Sequence, residues 1–373
     1  MGELNKIPDN NEAPNAPGNL PVKIWRIIYD FFASVKLAMF LLIVILVCCV
    51  AGVTIIRGER AWALIFSTLW FNTILVLLVV NVAFCFFGRI RGRKVTLISL
   101  GMILFHLSFV AMLGGIIYNS LFYFRGVIRL TEGETLPSGD PLSYDVSEHG
   151  RFFSFVKLKG ETTLIEMHKG YKIGGADKQV AYDVAVGEGR SRKQGIIYIT
   201  HKLAHNGFDY FRDKEGYSIL IALHDKLGRE FYGAFVPLQS LKQKGDQYLY
   251  TTGTKEGPGG FPFPQDPLSP MYELQAAYYP AFLKERTGEA HFQAWPLDKS
   301  GARAGKKAIV NGRAAVGKKI KAGEHYLSVK EIRYWVGMSV SYEPGKPIVL
   351  SSLWVGLGGM SLTFIGRMRK SSA

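Results

Sequence analysis

The chain has 373 residues, 48% of them hydrophobic and 20% charged, with a net charge of +15. It is too long for one small domain and too apolar for a disordered chain. Three cysteines and no Cys-x-x-Cys-His motif exclude both a cystine-stapled scaffold and a c-type cytochrome.

In chain order, some twenty polar, Pro- and Asn-containing residues come first, a pattern unlike a cleavable signal peptide. We read 1–35 as a cytoplasmic N-terminal segment and the first apolar run as a retained anchor. Four runs, Leu37–Ile56, Ala61–Phe87, Val95–Phe124 and Pro347–Gly366, each extend for 20 residues or more without Lys, Arg, Asp or Glu. That matches the roughly 20 helical residues needed to cross about 30 Å of hydrocarbon. The sequence therefore predicts an integral membrane protein with four transmembrane helices, three N-terminal and one C-terminal. A large extracytoplasmic, mainly β domain lies between the third and fourth. The expected divisions are 1–35, a three-helix region 36–120, the β-rich domain 121–345, and a final span with its tail, 346–373.

Charge sets the expected topology. The domain Leu121–Gly345 holds 31 Lys/Arg against 25 Asp/Glu, while the rest holds 14 against 5, mostly beside the spans. Lys23, Arg26 and Lys36, then Arg89, Arg91, Arg93 and Lys94, then Arg367, Arg369 and Lys370 mark three cytoplasmic flanks under the positive-inside rule. Both termini are then inside and the large domain outside, in a multi-pass protein of the cytoplasmic (inner) membrane. Only the short loop Arg57–Arg60 carries basic residues on the wrong side. Basic residues bordering a lipid bilayer need no phosphate backbone to explain them, so no nucleic-acid partner is expected.

The domain reads as a β-sandwich or barrel-like fold, with strands expected at Phe152–Leu158, Thr162–Met167, Gln179–Val186, Gly195–Thr200, Tyr217–Leu223, Glu230–Val236 and Gln247–Thr252. Gly257–Pro270 is too rich in Pro and Gly for regular structure and is expected as a long surface loop. The Lys-rich Gly301–Gly323 is expected to form hairpins. No disulfide or metal is expected in this domain, because all three cysteines, Cys48, Cys49 and Cys85, lie in apolar runs as small packing residues.

His106 is the one ionisable side chain deep within a run. Twelve residues beyond Lys94, it is expected roughly 18 Å from the cytoplasmic flank, close to mid-membrane. An unpaired ionisable group there is costly, and a neutral imidazole is a good axial ligand for haem iron. A neutral histidine hydrogen-bonded to a Ser, an Asn or a carbonyl of a neighbouring helix accounts for it equally well. Gly101, Leu104, Ser108, Ala111 and Gly115 form a mostly small-residue stripe suited to close helix packing, and His106 faces away from it. His201 and His205, four apart, sit where a strand runs into a loop and read as edge groups. His149, His168, His224, His291 and His325 read as surface residues. There is no phosphate-binding glycine loop, His-Glu-x-x-His or nucleophile elbow.

The first run with its lead-in (FFASVKLAMFLLIVILVCCVAGVTI), the second (LWFNTILVLLVVNVAFCFFGRI) and the third (HLSFVAMLGGIIYN) followed by GVIRLTEGET resemble the ResB family of cytochrome c biogenesis proteins. So do THKLAHNGFDYFRD and GMSVSYEPGKPIVLSSLWVGLGGM, and the resemblance covers nearly the whole chain in order. The chain is somewhat compact for that family. The resemblance implies a membrane subunit of a System II cytochrome c synthase, or haem lyase, that lacks a complete catalytic site of its own. It implies a ResC/CcsA-like membrane partner carrying a tryptophan-rich haem-handling motif, haem b as cargo and apocytochrome c as recipient. In the family a third-span histidine ligates haem within the membrane, and His106 occupies that position. Trp25, Trp62, Trp70, Trp295, Trp335 and Trp354 are scattered, so the partner's motif is not in this chain. The spans hold one histidine, so a second axial ligand is expected in trans, with Met39, Met102, Met112 and Met360 as weaker alternatives. The competing readings are an electron-transfer subunit that retains its haem, and a structural subunit of a larger membrane complex.

Overall fold

A computed structural model describes residues 20–56, 58–90, 96–173, 175–243, 248–254, 256–265, 270–281, 286–298 and 301–371. Arg91, Arg93, Lys94 and Gln247 lie outside the described residues, as do the side chains of Lys23, Trp25 and Arg89. The chain divides into two compact units, one of residues 1–122 with 344–373, the other Tyr123–Glu343.

The first unit contains four helices long and apolar enough to cross a membrane: Val35–Ile56, Leu69–Phe86, Leu97–Phe122 and Lys346–Lys370. The second is shorter than its apolar run. The segment Trp62–Phe66 winds as a π-helix, and the Ser67 and Thr68 hydroxyls then donate to the Trp62 and Ile65 carbonyls (3.0 and 2.6 Å). These local bonds compete with the helical ladder and delay the straight helix to Leu69. The third span starts where Thr96 and Ser99 cap each other: the Thr96 amide donates to Ser99 Oγ (2.8 Å) and the Ser99 amide to Thr96 Oγ1 (3.2 Å).

Small residues join the third span to the fourth. A Cβ on Gly101 would fall 2.6 Å from the Gly359 carbonyl oxygen, and one on Gly359 2.7 Å from that of Gly101, so the backbones touch. Ser108 fits against Gly356, and Gly115 against Ile348 and Val349. The expected stripe is thus the seam with the last helix, the packing that small residues permit where lipid offers no hydrophobic drive. The opposite face of the third span, with Phe109, Leu113 and Ile117, packs on Leu41 of the first span and Phe71, Leu75 and Leu78 of the second.

In the second unit, Phe208–His224 and His325–Tyr342 pair antiparallel along almost their whole length. They anchor a seven-stranded sheet with Glu230–Pro237, Phe124–Thr131, Tyr144–His149, Leu203–His205 and Lys319–Ala322. Keeping one face apolar over such lengths needs corrections, because a one-residue slip turns every side chain over. Two bulges supply them, at Asp213 and Lys330. Across them the buried series switches from Phe208 and Tyr210 to Ile219, Ile221 and Leu223, and from Met338, Val336 and Ile332 to Val329 and Leu327.

This long face carries two cores. One, with Phe124, Ile128, Tyr182, Val184, Phe208 and Met338, lies beneath the sheet Thr135–Pro137, Glu161–Lys169, Val180–Gly187 and Lys193–Tyr198. The other, with Ile219, Leu223, Leu274, Phe292 and Val329, lies beneath a six-stranded sheet built on Tyr272–Pro280 and Gly288–Pro296. Tyr217 packs against both. Near this junction Glu132, 6% exposed, accepts from the Met167 and Tyr334 amides (3.0 and 3.1 Å) and from Arg286 (3.1 Å).

Several expected elements differ. Phe152–Leu158 is not a strand: Phe153, Lys157 and Leu158 amides fold back onto the carbonyls of Gly150, Ser154 and Phe155. Its apolar residues fill a core from a loop, with Phe153 stacked 4.8 Å from Phe124. Within Gly257–Pro270, Phe261–Phe263 adds to the edge of Tyr272–Pro280, and Phe263 is fully buried, so one phenylalanine outweighs the proline-rich composition. Residues 266–269 of that segment lie outside the described residues. Gly301–Gly323 does enter hairpins, but with partners beyond its own bounds: Val310–Ala315 joins Gly288–Pro296, and Lys319–Ala322 turns tightly back onto His325–Tyr342. His224 is buried, at 5% exposure, rather than on the surface, because its strand passes beneath the second core's rim, where Nε2 pairs with Ser328 Oγ at 2.9 Å.

Candidate functional site

His106 is half-buried on the third span, on the face opposite the seam with the last helix. Its ring stacks on Phe86 of the second span, with centroids 5.0 Å apart and planes 15° from parallel, and the Phe105 ring meets it edge-on at 5.6 Å. Nδ1 lies 2.8 Å from the carbonyl oxygen of Met102, one turn back on the same helix. A carbonyl only accepts, so Nδ1 carries a proton and donates, which in a neutral imidazole leaves the lone pair on Nε2. Among the described residues Nε2 has no hydrogen-bond partner. The hydrogen bond is thus to its own helix rather than a neighbouring one. It fixes the tautomer and ring as metal-ligating imidazoles require.

The second span carries a further set of polar contacts just beside Phe86. Asn81, fully buried, donates through Nδ2 to the carbonyls of Phe32 (2.6 Å) and Ser34 (3.0 Å). The Cys85 thiol donates to the Ala33 carbonyl at 3.1 Å, so this cysteine bonds the backbone as well as packing. These three carbonyls lie at the break before the first span begins at Val35. Because Phe86 follows Cys85 directly and stacks on His106, the histidine is level with the start of the first span. It is the tenth residue of its helix, about 13 Å from the helix start. By residue count it lies about 5 Å from the middle of that helix, while its stacking partner Phe86 is the last residue of the second span.

Of the methionines, Met102 and Met112 are on the third span, Met360 on the fourth and Met39 on the first. Met102 and Met360 line an apolar cavity of about 430 Å³ with Phe105, Thr363, Phe364 and Arg367, and Met112 and Met360 border a smaller one of about 100 Å³ with Ser108 and Gly356. Met39 is exposed on the first span. Among the described residues no three His, Cys, Asp or Glu side chains gather into a metal-binding group. A single imidazole fits one axial position of a haem, and no second histidine stands in the spans.

The histidines of the β domain are not brought together among the described residues. The His201 ring stacks on Tyr198 (5.0 Å), while His205 Nε2 accepts from Asn206 Nδ2 (3.0 Å) in a hairpin whose strand character matches the sequence reading. Burial, then Lys193, holds the His205 imidazole below its ordinary value. His325 pairs with the Tyr272 hydroxyl at 2.6 Å. Two residues of the membrane site escaped sequence reasoning, Phe86 and Asn81. Asn81 was legible as a lone amide in an apolar run; nothing local distinguished Phe86 from its neighbours. No family model matches the chain, and no curated protein matches it.

Proposed function

We propose that this chain is a haem-handling membrane subunit of System II cytochrome c maturation, acting with a ResC-type partner that bears the tryptophan-rich motif. The observation that carries this reading is the state of His106, whose Nδ1 proton is engaged by Met102 while the Nε2 lone pair is left for a Lewis acid. Haem here is cargo. Its porphyrin suits the acyl region and its propionates the headgroups, so a ligand stacked on the last residue of the second span matches uptake from one leaflet. With the basic flanks inside, that leaflet is the cytoplasmic one, and the β domain lies outside, where it positions the partner or the apocytochrome. The partner supplies the second axial ligand and the outer-face site.

The test is the spectrum of the complex purified with its partner. His106→Ala is expected to lose the intramembrane haem absorbance while the complex still assembles, because the packing seam is on the opposite face. His106→Gly with added imidazole is expected to restore part of it. Full haem occupancy and an unchanged spectrum in the alanine variant would overturn the ligand assignment. Transfer of the haem to a Cys-x-x-Cys-His peptide distinguishes a carrier from a relay, which would titrate reversibly and keep its haem. For the topology, a probe cysteine at Lys214 labelled only from the cytoplasmic side would reverse the orientation.

A further inference from the structure

Ahead of the first span, Leu20–Phe32 forms a separate helix within a segment the sequence had suggested only as a polar cytoplasmic lead-in. Ser34, in an extended conformation, breaks it from Val35–Ala51. At 100° per residue, Ile24, Ile27, Ile28 and Phe31 fall on one face and Arg26 and Asp30 on the other. The apolar four are 52%, 69%, 41% and 58% exposed, whereas Tyr29 and Phe32 turn toward Phe84 of the second span, with centroids 5.5 and 5.8 Å away.

We propose that Leu20–Phe32 lies along the membrane surface, with Ile24, Ile27, Ile28 and Phe31 buried at the boundary between phospholipid headgroups and acyl chains. Two observations select lipid as the occupant. Exposed large apolar residues continue into the first span, where Val35, Met39 and Phe40 are 63%, 60% and 62% exposed, and a span's outer face is covered by acyl chains. The break between the two is also built: Asn81 donates to carbonyls on both sides of it, and Cys85 to the one between. If the helix simply prolonged the first span, Arg26 and Asp30 would be carried along with it; if it stood in water, four large apolar side chains in two turns would be bare. A surface position lets each face meet the medium it matches. The proposal does not rest on the haem reading.

The test places a nitroxide at Ile24→Cys, Phe31→Cys or Arg26→Cys, one at a time. The host is the full chain with Cys48 and Cys49 as alanine and Cys85 as serine, which keeps the donor to Ala33. In phosphatidylcholine–phosphatidylglycerol nanodiscs, oxygen is expected to relax the labels at 24 and 31 while nickel-EDDA does not. The label at 26 is expected to show the reverse. Nickel-EDDA reaching 24 and 31 would put the helix in water. Neither reagent reaching them would mean protein covers the face, and oxygen alone reaching 26 would mean the helix is fully embedded. Each of these three results overturns the proposal.

Discussion

Between the third and fourth spans, Gly101, Ser108 and Gly115 meet Gly359, Gly356 and Val349, and the contact consists of backbone approach with little side-chain volume. Between Phe208–His224 and His325–Tyr342 the contact is a ladder of backbone hydrogen bonds over two cores of fully buried Ile, Leu, Val and Phe. The difference follows from the surroundings. In water, removing apolar area is the main drive, so the β domain concentrates its large residues inside. In lipid that drive is missing, so the helices place their large residues outward and keep glycine where they touch. A change that adds volume should therefore damage the first contact, and one that removes a partner from a buried polar group the second.

The largest effect is expected at Glu132. Glu132→Ala leaves the Met167 and Tyr334 amides and Arg286 without their common acceptor, a loss of about 4 kcal/mol in the β domain. It would be seen as an early β-sheet unfolding transition by circular dichroism, with the helical signal retained. Glu132→Gln, which keeps an acceptor, should lose less than half as much.

Gly101→Val tests the other side of the comparison. Its side chain would enter the space of Thr363 Oγ1 and of the Gly359 carbonyl oxygen, the latter 2.6 Å from an added Cβ. The cost is expected to be about 3 kcal/mol, lowering the helical melting temperature in detergent while the β transition stays in place. If both transitions moved together in either variant, the two units would not be independent in stability.

A smaller effect distinguishes burial from exposure within the domain. Burial, with Lys319 nearby, holds the His224 imidazole below its ordinary 6.5. The unfolded chain therefore takes up this proton first as pH falls. The contribution is present above about pH 6.5 and is lost as pH drops toward the lower folded value. The β transition should move to lower temperature between pH 7.5 and 5.5, and His224→Gln should flatten that dependence. An unchanged slope in the variant would assign the pH response to other groups.

The smallest effect is expected at Lys226, whose bridge to Glu324 is 3.0 Å long with both side chains more than half exposed. Lys226→Ala should change stability by about 0.5 kcal/mol or less in thermal melts. A loss near that of Glu132→Ala would mean that ion pairs rather than burial hold the domain's tip.

Four long charge-free runs, three before the polar stretch and one after, were decided by the sequence alone, because the length of an apolar run is a local property that hydrocarbon thickness makes meaningful. The strands from Thr162 to Val236 were legible for a similar reason: alternation is written within a few residues of itself. The seam of the third span was readable too, since helical spacing lines up Gly101, Ser108 and Gly115 without knowledge of their partner. Only the tertiary structure decided which elements meet. Phe208–His224 finds His325–Tyr342 across a hundred residues, and the bulges at Asp213 and Lys330 make sense only against each other. Likewise Glu132 reads as an ordinary turn acid until Met167, Arg286 and Tyr334 converge on it. His106 was singled out by its position in an apolar run. Its depth, its ring stacking on Phe86 and the helix held ahead of the first span by Asn81 depend on contacts between helices, and no local pattern encodes those.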